Sequence, residues 1–143
     1  MAARNGSAEW KGDLQSGTGT LSLGSGSFSG PYSFTSRFED GSGTNPEELI
    51  AAAHAACFAM AMSAILAQEG HPVDSVRTTA NVTLRRVDDA PTITKIELTA
   101  EGKVPGIDEA HFAEVVEKAR QSCLVSRALA GVPEITATAT FIA

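Results

Sequence analysis

The stretch Gly43–Gly70, GTNPEELIAAAHAACFAMAMSAILAQEG, decides how the rest of the chain has to fold. It opens as a helix start. Asn45 is a good cap, Pro46 suits the first helical position, and Glu48 stands three residues past the cap, as in a capping box. It closes at Gly70, with Pro72 just beyond, a common helix stop. No formal charge lies between Glu48 and Glu69; Leu49, Ile50, Phe58, Met60, Met62, Ile65 and Leu66 are mixed with nine alanines. A helix apolar on every side is a buried helix. The stretch therefore predicts a central core helix whose alanines let other backbones approach closely. It is also long enough to span a membrane, but its alanine content, His54 and Ser63 weigh against that.

Outward from this helix the chain reads as strands and one further helical region. Residues 8–13 and 17–23 read as short strands. Residues 31–39, PYSFTSRFE, read as a third, with Tyr32, Phe34, Ser36 and Phe38 on one face and Ser33, Thr35, Arg37 and Glu39 on the other. Residues 75–87 and 92–103 alternate cleanly, joined by Asp88-Asp89-Ala90-Pro91. Pro105-Gly106 breaks the chain. An amphipathic helix follows over 108–122, then a short helical piece over 124–130, and a last strand over 134–142. The order βββ–α–ββ–α(α)–β predicts an α+β fold with antiparallel sheets. One small sheet and one amphipathic helix leave part of a helix apolar all round uncovered, so a homodimer with an extensive apolar interface is expected.

Length and composition narrow the function. The chain has 143 residues, which suits a single domain, 1–143. A net charge of −6, from 17 acidic and 11 basic residues, argues against a nucleic-acid surface. The N-terminus shows no apolar signal-peptide core, and a cytoplasmic protein is expected. The two cysteines, Cys57 and Cys123, cannot by themselves build a tetrahedral zinc site, and His54, His71 and His111 show no ligand spacing to them. The Gly/Ser run at 24–27 has no following lysine and helix, and reads as a turn.

That leaves the thiols. A thiol reacts as its thiolate and needs a nearby cation or helix N-terminus. Cys57 is twelve residues past Asn45, about 18 Å along the helix, beyond the reach of the helix dipole. A basic side chain has to come from elsewhere. Arg37 is the preferred candidate, and His54, three residues before Cys57, is the rival. If Glu48 serves the cap, Glu47 is free to hold an arginine by a bidentate ion pair. The bland alternative is that both cysteines are inert core thiols. No spacing rule brings Cys57 and Cys123 together.

The central stretch GTNPEELIAAAHAACFAMA (43–61) closely resembles the signature of the osmotically inducible protein C (OsmC) and organic hydroperoxide resistance (Ohr) family. Further landmarks are AEWKGDLQSGTGTLS (8–22), PYSFTSRFE, TTANVTLRRVD (78–88), ITKIELTAEGKVPGID (93–108) and SCLVSRAL (122–129). The Arg37 context and His54-Ala-Ala-Cys57 resemble the OsmC branch. The resemblance implies an intertwined α+β homodimer that reduces hydroperoxides, organic ones preferentially, without haem, flavin or metal. It implies Cys57 as the peroxidatic cysteine and Cys123 as the resolving one, closing a Cys57–Cys123 disulfide. It implies Arg37 as the active-site arginine, Glu47 as the acid that orients it, and an external dithiol, such as a lipoylated protein, as the reductant. The family often has proline after its second cysteine; here it is Leu124. An apolar surround of Phe58 and Met60 would favour organic peroxides. Two other readings stand beside this one. The first is a non-catalytic α+β module that binds a hydrophobic ligand. The second is a hydrolase built on Cys57 and His54, which lacks an orienting third residue.

Overall fold

The computed structural model describes residues 3–143. The chain forms two compact units, one ending at Leu49 and the other running Ile50–Ala143.

In the first unit, β1 (Gly6–Lys11), β2 (Thr18–Leu23) and β3 (Ser29–Tyr32) form an antiparallel sheet in that order. Trp10 on β1 and Tyr32 on β3 flank Gly19 across this sheet, with ring centroids 5.4 Å apart. The strand predicted over 31–39 forms only as far as Tyr32, within β3, and the remainder does not form. Ser33 caps a short helix, α1 (Phe34–Phe38), through a full capping box: its hydroxyl accepts from the Ser36 amide, and the Ser36 hydroxyl accepts from the Ser33 amide. Alternation in FTSRF is genuine but short, and a Ser-x-x-Ser cap overrides it because serine competes for backbone groups where a helix begins. Arg37 therefore sits on a helix, not inside a strand.

The long helix α2 (Pro46–Gln68) starts where the sequence places it. Asn45 Oδ1 accepts from the Glu48 amide at 2.7 Å. The Glu48 carboxylate does not return to the cap backbone; it accepts from the Thr44 hydroxyl at 2.7 Å instead. Gly43, at φ +111°, is required before this start, since a Cβ there would lie 2.9 Å from the Pro31 carbonyl. The helix ends in a Schellman motif. The His71 amide donates to Leu66 O at 2.8 Å and the Gly70 amide to Ala67 O at 3.1 Å, with Gly70 at φ +85°.

In the second unit, β4 (Ser75–Val87) and β5 (Ala90–Lys103) form a long hairpin. Its turn is only Asp88-Asp89, both with positive φ, since Val87 already pairs with Ala90. The last strand, β6 (Glu134–Ile142), lies parallel to β5, so this sheet is mixed rather than purely antiparallel. The reason is connectivity. The helix α3 (Glu109–Ser122) and the short α4 (Leu124–Ala128) lie between β5 and β6, and a crossover through a helix returns the chain in the same direction.

Phe58, Met62 and Leu66, one helical turn apart, are fully buried with Ile96, Leu98, Phe112, Val115 and Cys123 in one core. The opposite flank of α2 is not covered. Ala52, Ala53, Ala56, Ala64 and Ala67 are exposed, and Met60 is 74 % exposed. One chain thus buries a stripe of this helix, not its whole circumference. Among the described residues, α2 is the one helix long and apolar enough to cross a bilayer; its buried stripe is the pattern of a core helix. Phe112 packs over Gly102 and against Phe141, with ring centroids 5.7 Å apart. Phe112→Ala is expected to cost about 3–5 kcal/mol of stability. Gly102→Ala, whose Cβ would meet the Phe112 ring at 2.4 Å, is expected to cost about 1–3 kcal/mol. Urea denaturation of the two variants checks both.

Candidate active site

In the first unit, α1 and the start of α2 are tied together by Ser36. Its hydroxyl donates to Thr44 O at 2.8 Å, and its carbonyl accepts from Asn45 Nδ2 at 2.9 Å. These bonds bring Arg37 against Glu47. Arg37 Nε lies 3.2 and 3.3 Å from the two Glu47 oxygens, and Nη2 lies 2.9 Å from Oε1. The Glu47 side chain is 11 % exposed and that of Arg37 is 38 % exposed. A buried carboxylate thus holds a guanidinium whose other edge is open. Arg37 Cζ also lies 5.2 Å from the centre of the Phe38 ring. Beside it is a cavity of about 380 Å³ lined by Trp10, Leu14, Tyr32, Phe34, Arg37 and Phe38. Apolar walls with one cation suit a small organic molecule that carries a polar end. The apolar surround expected from Phe58 and Met60 is not found in those residues, since Phe58 is sealed in the core and Met60 faces outward.

In the second unit, the structure does what no spacing rule could. Cys57, on α2, and Cys123, between α3 and α4, are both free thiols; Cys57 packs against the core that holds Cys123, and each thiol affects the ionisation of the other. Cys123 is 1 % exposed. Burial pushes the Cys57 thiol up, and the Cys123 thiol beside it adds to this, against the pull of the Val125 and Leu124 amides. Burial also acts to raise Cys123. There the Ser126 amide, the Cys57 thiol, the Ser126 hydroxyl and the Val125 amide outweigh it, and the thiol ends below its ordinary value. Leu124, where the family often has proline, opens α4 and supplies a backbone amide that a proline would lack.

His54 is not a base for Cys57. It is fully buried, and its Nε2 lies 2.6 Å from Ser126 Oγ. Ser126 is the residue that the sequence reading missed. A signal existed: it follows Cys123 by three residues, the spacing of a cap and its partner. The described residues hold no cluster of three or more His, Cys, Asp or Glu side chains able to bind a metal ion.

Residues 39–138 match the family model described as OsmC-like protein. The peroxiredoxin OsmC of Escherichia coli is 50 % identical over 127 residues, covering 88 % of this chain and 89 % of that protein. An organic hydroperoxide resistance protein of Xanthomonas axonopodis is 37 % identical over 101 residues, covering 68 % of each chain. Among solved structures, an organic hydroperoxide resistance protein from Elizabethkingia anophelis superposes with a TM-score of 0.76 at 23 % identity, covering 99 % of both chains. That last likeness concerns the fold.

Proposed function

This chain belongs to the OsmC-like family and is a cysteine-based peroxidase, and from that premise we propose that it reduces organic hydroperoxides by a two-cysteine cycle. The observation that carries the reading is the pairing of two free thiols, one on the core helix and one from a distant segment. The Cys57 thiolate attacks the distal peroxide oxygen, the O–O bond breaks, and an alcohol leaves after taking up a proton. Cys57 becomes a sulfenic acid. Cys123 attacks that sulfur, water leaves, and a Cys57–Cys123 disulfide remains. An external dithiol, such as a lipoylated protein, restores the thiols by exchange. The sulfurs carry both electrons, so the cycle calls for no haem, flavin or metal.

Burial and the neighbouring Cys123 thiol push the Cys57 thiol up, so its ionisation calls for a cation. Arg37 is assigned that task and the steadying of charge on the peroxide, with Glu47 as its orienting acid. The aromatic cavity beside Arg37 supports an alkyl or aryl hydroperoxide in preference to hydrogen peroxide. The uncovered alanine and Met60 flank of α2 supports a homodimer in which a second copy covers it. A cytoplasmic location and a role in oxidative or osmotic stress defence complete the proposal.

The test is direct. Reduced protein receives one equivalent of cumene hydroperoxide, free thiols are counted, and disulfides are mapped by non-reducing peptide mass spectrometry. Loss of both thiols into an intramolecular Cys57–Cys123 bond, with alcohol released, is the expected result. Two thiols still free after prolonged exposure would leave the chain as a hydrophobic-ligand module. Turnover of cumene hydroperoxide no better than that of hydrogen peroxide would remove the substrate preference.

A further inference from the structure

The cavity beside Arg37 has an outer wall to which the cycle above gives no task. Between β1 and β2 the chain turns through residues 12–17, and Leu14 on this turn is 61 % exposed. An exposed leucine is ordinary by itself. This one lines the cavity with Trp10, Tyr32, Phe34, Arg37 and Phe38, and the turn that carries it is held from both sides. Trp10 Nε1 donates to Gly12 O and to Asp13 O, at 3.1 Å each. Asp13 Oδ1 accepts from the Ser16 amide and the Ser16 hydroxyl, at 2.7 Å each, and Asp13 O accepts from the Gly17 amide at 3.0 Å. Gly17 permits this closeness, because a Cβ there would collide with the Asp13 carbonyl. A turn bonded in this way keeps Leu14 in one place. The remaining walls are rings in two tilted pairs, Trp10 with Tyr32 and Phe34 with Phe38, with centroids 5.4 and 5.0 Å apart. Tilted pairs present both edges and faces, against which a further ring packs well.

We propose that Leu14 is a specificity-determining residue that closes the cavity over an aryl group of the hydroperoxide, with Trp10 and Asp13 as the positioning residues that hold it there. This rests on the peroxidase reading and narrows its substrate class to compact aromatic hydroperoxides. The polar peroxide end is drawn to the open edge of the Arg37 guanidinium, whose other edge is taken by Glu47. The ring lies among Trp10, Tyr32, Phe34 and Phe38, and Leu14 loses its exposed face to the ring when substrate arrives. A volume of about 380 Å³ is at the small end for ligand pockets. It suits a substituted benzene ring better than a long flexible chain. Hydrogen peroxide has no apolar part and gains nothing from Leu14. Because the turn is already formed, little ordering entropy is lost when it closes on a substrate.

The test compares kcat/KM for cumene hydroperoxide, tert-butyl hydroperoxide and hydrogen peroxide, with dithiothreitol as reductant. The parent chain should prefer cumene hydroperoxide to tert-butyl hydroperoxide. Leu14→Ala is expected to lower the ratio of kcat/KM for cumene hydroperoxide over hydrogen peroxide about tenfold, and the ratio for tert-butyl hydroperoxide by less. Asp13→Ala, which releases Ser16, should lower the cumene ratio in the same direction. Asp13→Asn, which keeps an Oδ1 acceptor for Ser16, should recover most of it. Both side chains are exposed, so circular dichroism should match the parent chain. An unchanged ratio in Leu14→Ala overturns the inference and leaves the peroxidase reading standing. An equal fall for all three peroxides overturns it as a general loosening of the unit. A parent ratio in Asp13→Ala removes Asp13 from its positioning role. A parent chain that turns over tert-butyl hydroperoxide as well as cumene hydroperoxide overturns the aromatic substrate class. A parent chain that consumes none of the three overturns this inference together with the reading on which it rests.

Discussion

Cys57→Ser is expected to lower kcat/KM for cumene hydroperoxide by on the order of 10³-fold or more, because a hydroxyl at that position cannot replace a thiolate as nucleophile. The fold should survive. Cys57 is only half-buried, while Phe58, Met62 and Leu66 supply the fully buried anchors of α2. Far-UV circular dichroism and urea denaturation should therefore match the parent chain closely. Cys123→Ser should differ in kind. Its first equivalent of peroxide should still be consumed, since Cys57 is intact, but the sulfenic acid should persist and steady-state turnover with a dithiol should drop. Steady-state kinetics and dimedone labelling separate the two variants. Retained turnover in Cys57→Ser would mean that Cys57 is not the nucleophile. Loss of the first turnover in Cys123→Ser would reverse the assigned order of the thiols.

The second large effect is expected at Arg37. Arg37→Lys should lower kcat/KM by about 100-fold, even though charge is kept. The reason is geometric. Glu47 engages Nε and Nη2 together, which fixes the plane of the guanidinium and leaves Nη1 for a ligand. A lysine ammonium is a point charge on a flexible stem and cannot be held in that way. Glu47→Gln should weaken activity less, since one acceptor oxygen remains. The double variant should be about as slow as Arg37→Lys alone, because the carboxylate acts through the arginine and has nothing left to orient. Simple addition of the two losses would mean that Glu47 has a task of its own. The cycle of four proteins measures this without any assumption about which step is limiting.

Much of this was legible in the chain because it depends on local rules. The start and stop of α2 follow from Asn45, Pro46 and Gly70, whose backbone preferences operate within one helical turn. The alternating runs at β4, β5 and β6 were long enough to mark strands and their faces. Residue types left Glu47 free to hold an arginine, and the family resemblance implied Arg37 as its partner, although the scaffold of the pair was not anticipated. Residues 33–38 alternate well enough to suggest a strand, but a serine cap competes at the same positions and wins.

What the sequence by itself determined is the set of elements, the apolar character of α2 and, through resemblance, the chemistry of a thiol pair. Each is a property of residues near one another in the chain. Only the tertiary structure decided that β6 runs parallel to β5, that Cys57 meets Cys123, and that His54 turns to Ser126 rather than to the thiol three residues away. These contacts join segments far apart in sequence. They are set by how α3 and α4 pack in returning the chain from β5 to β6, and no local propensity encodes the direction of that return.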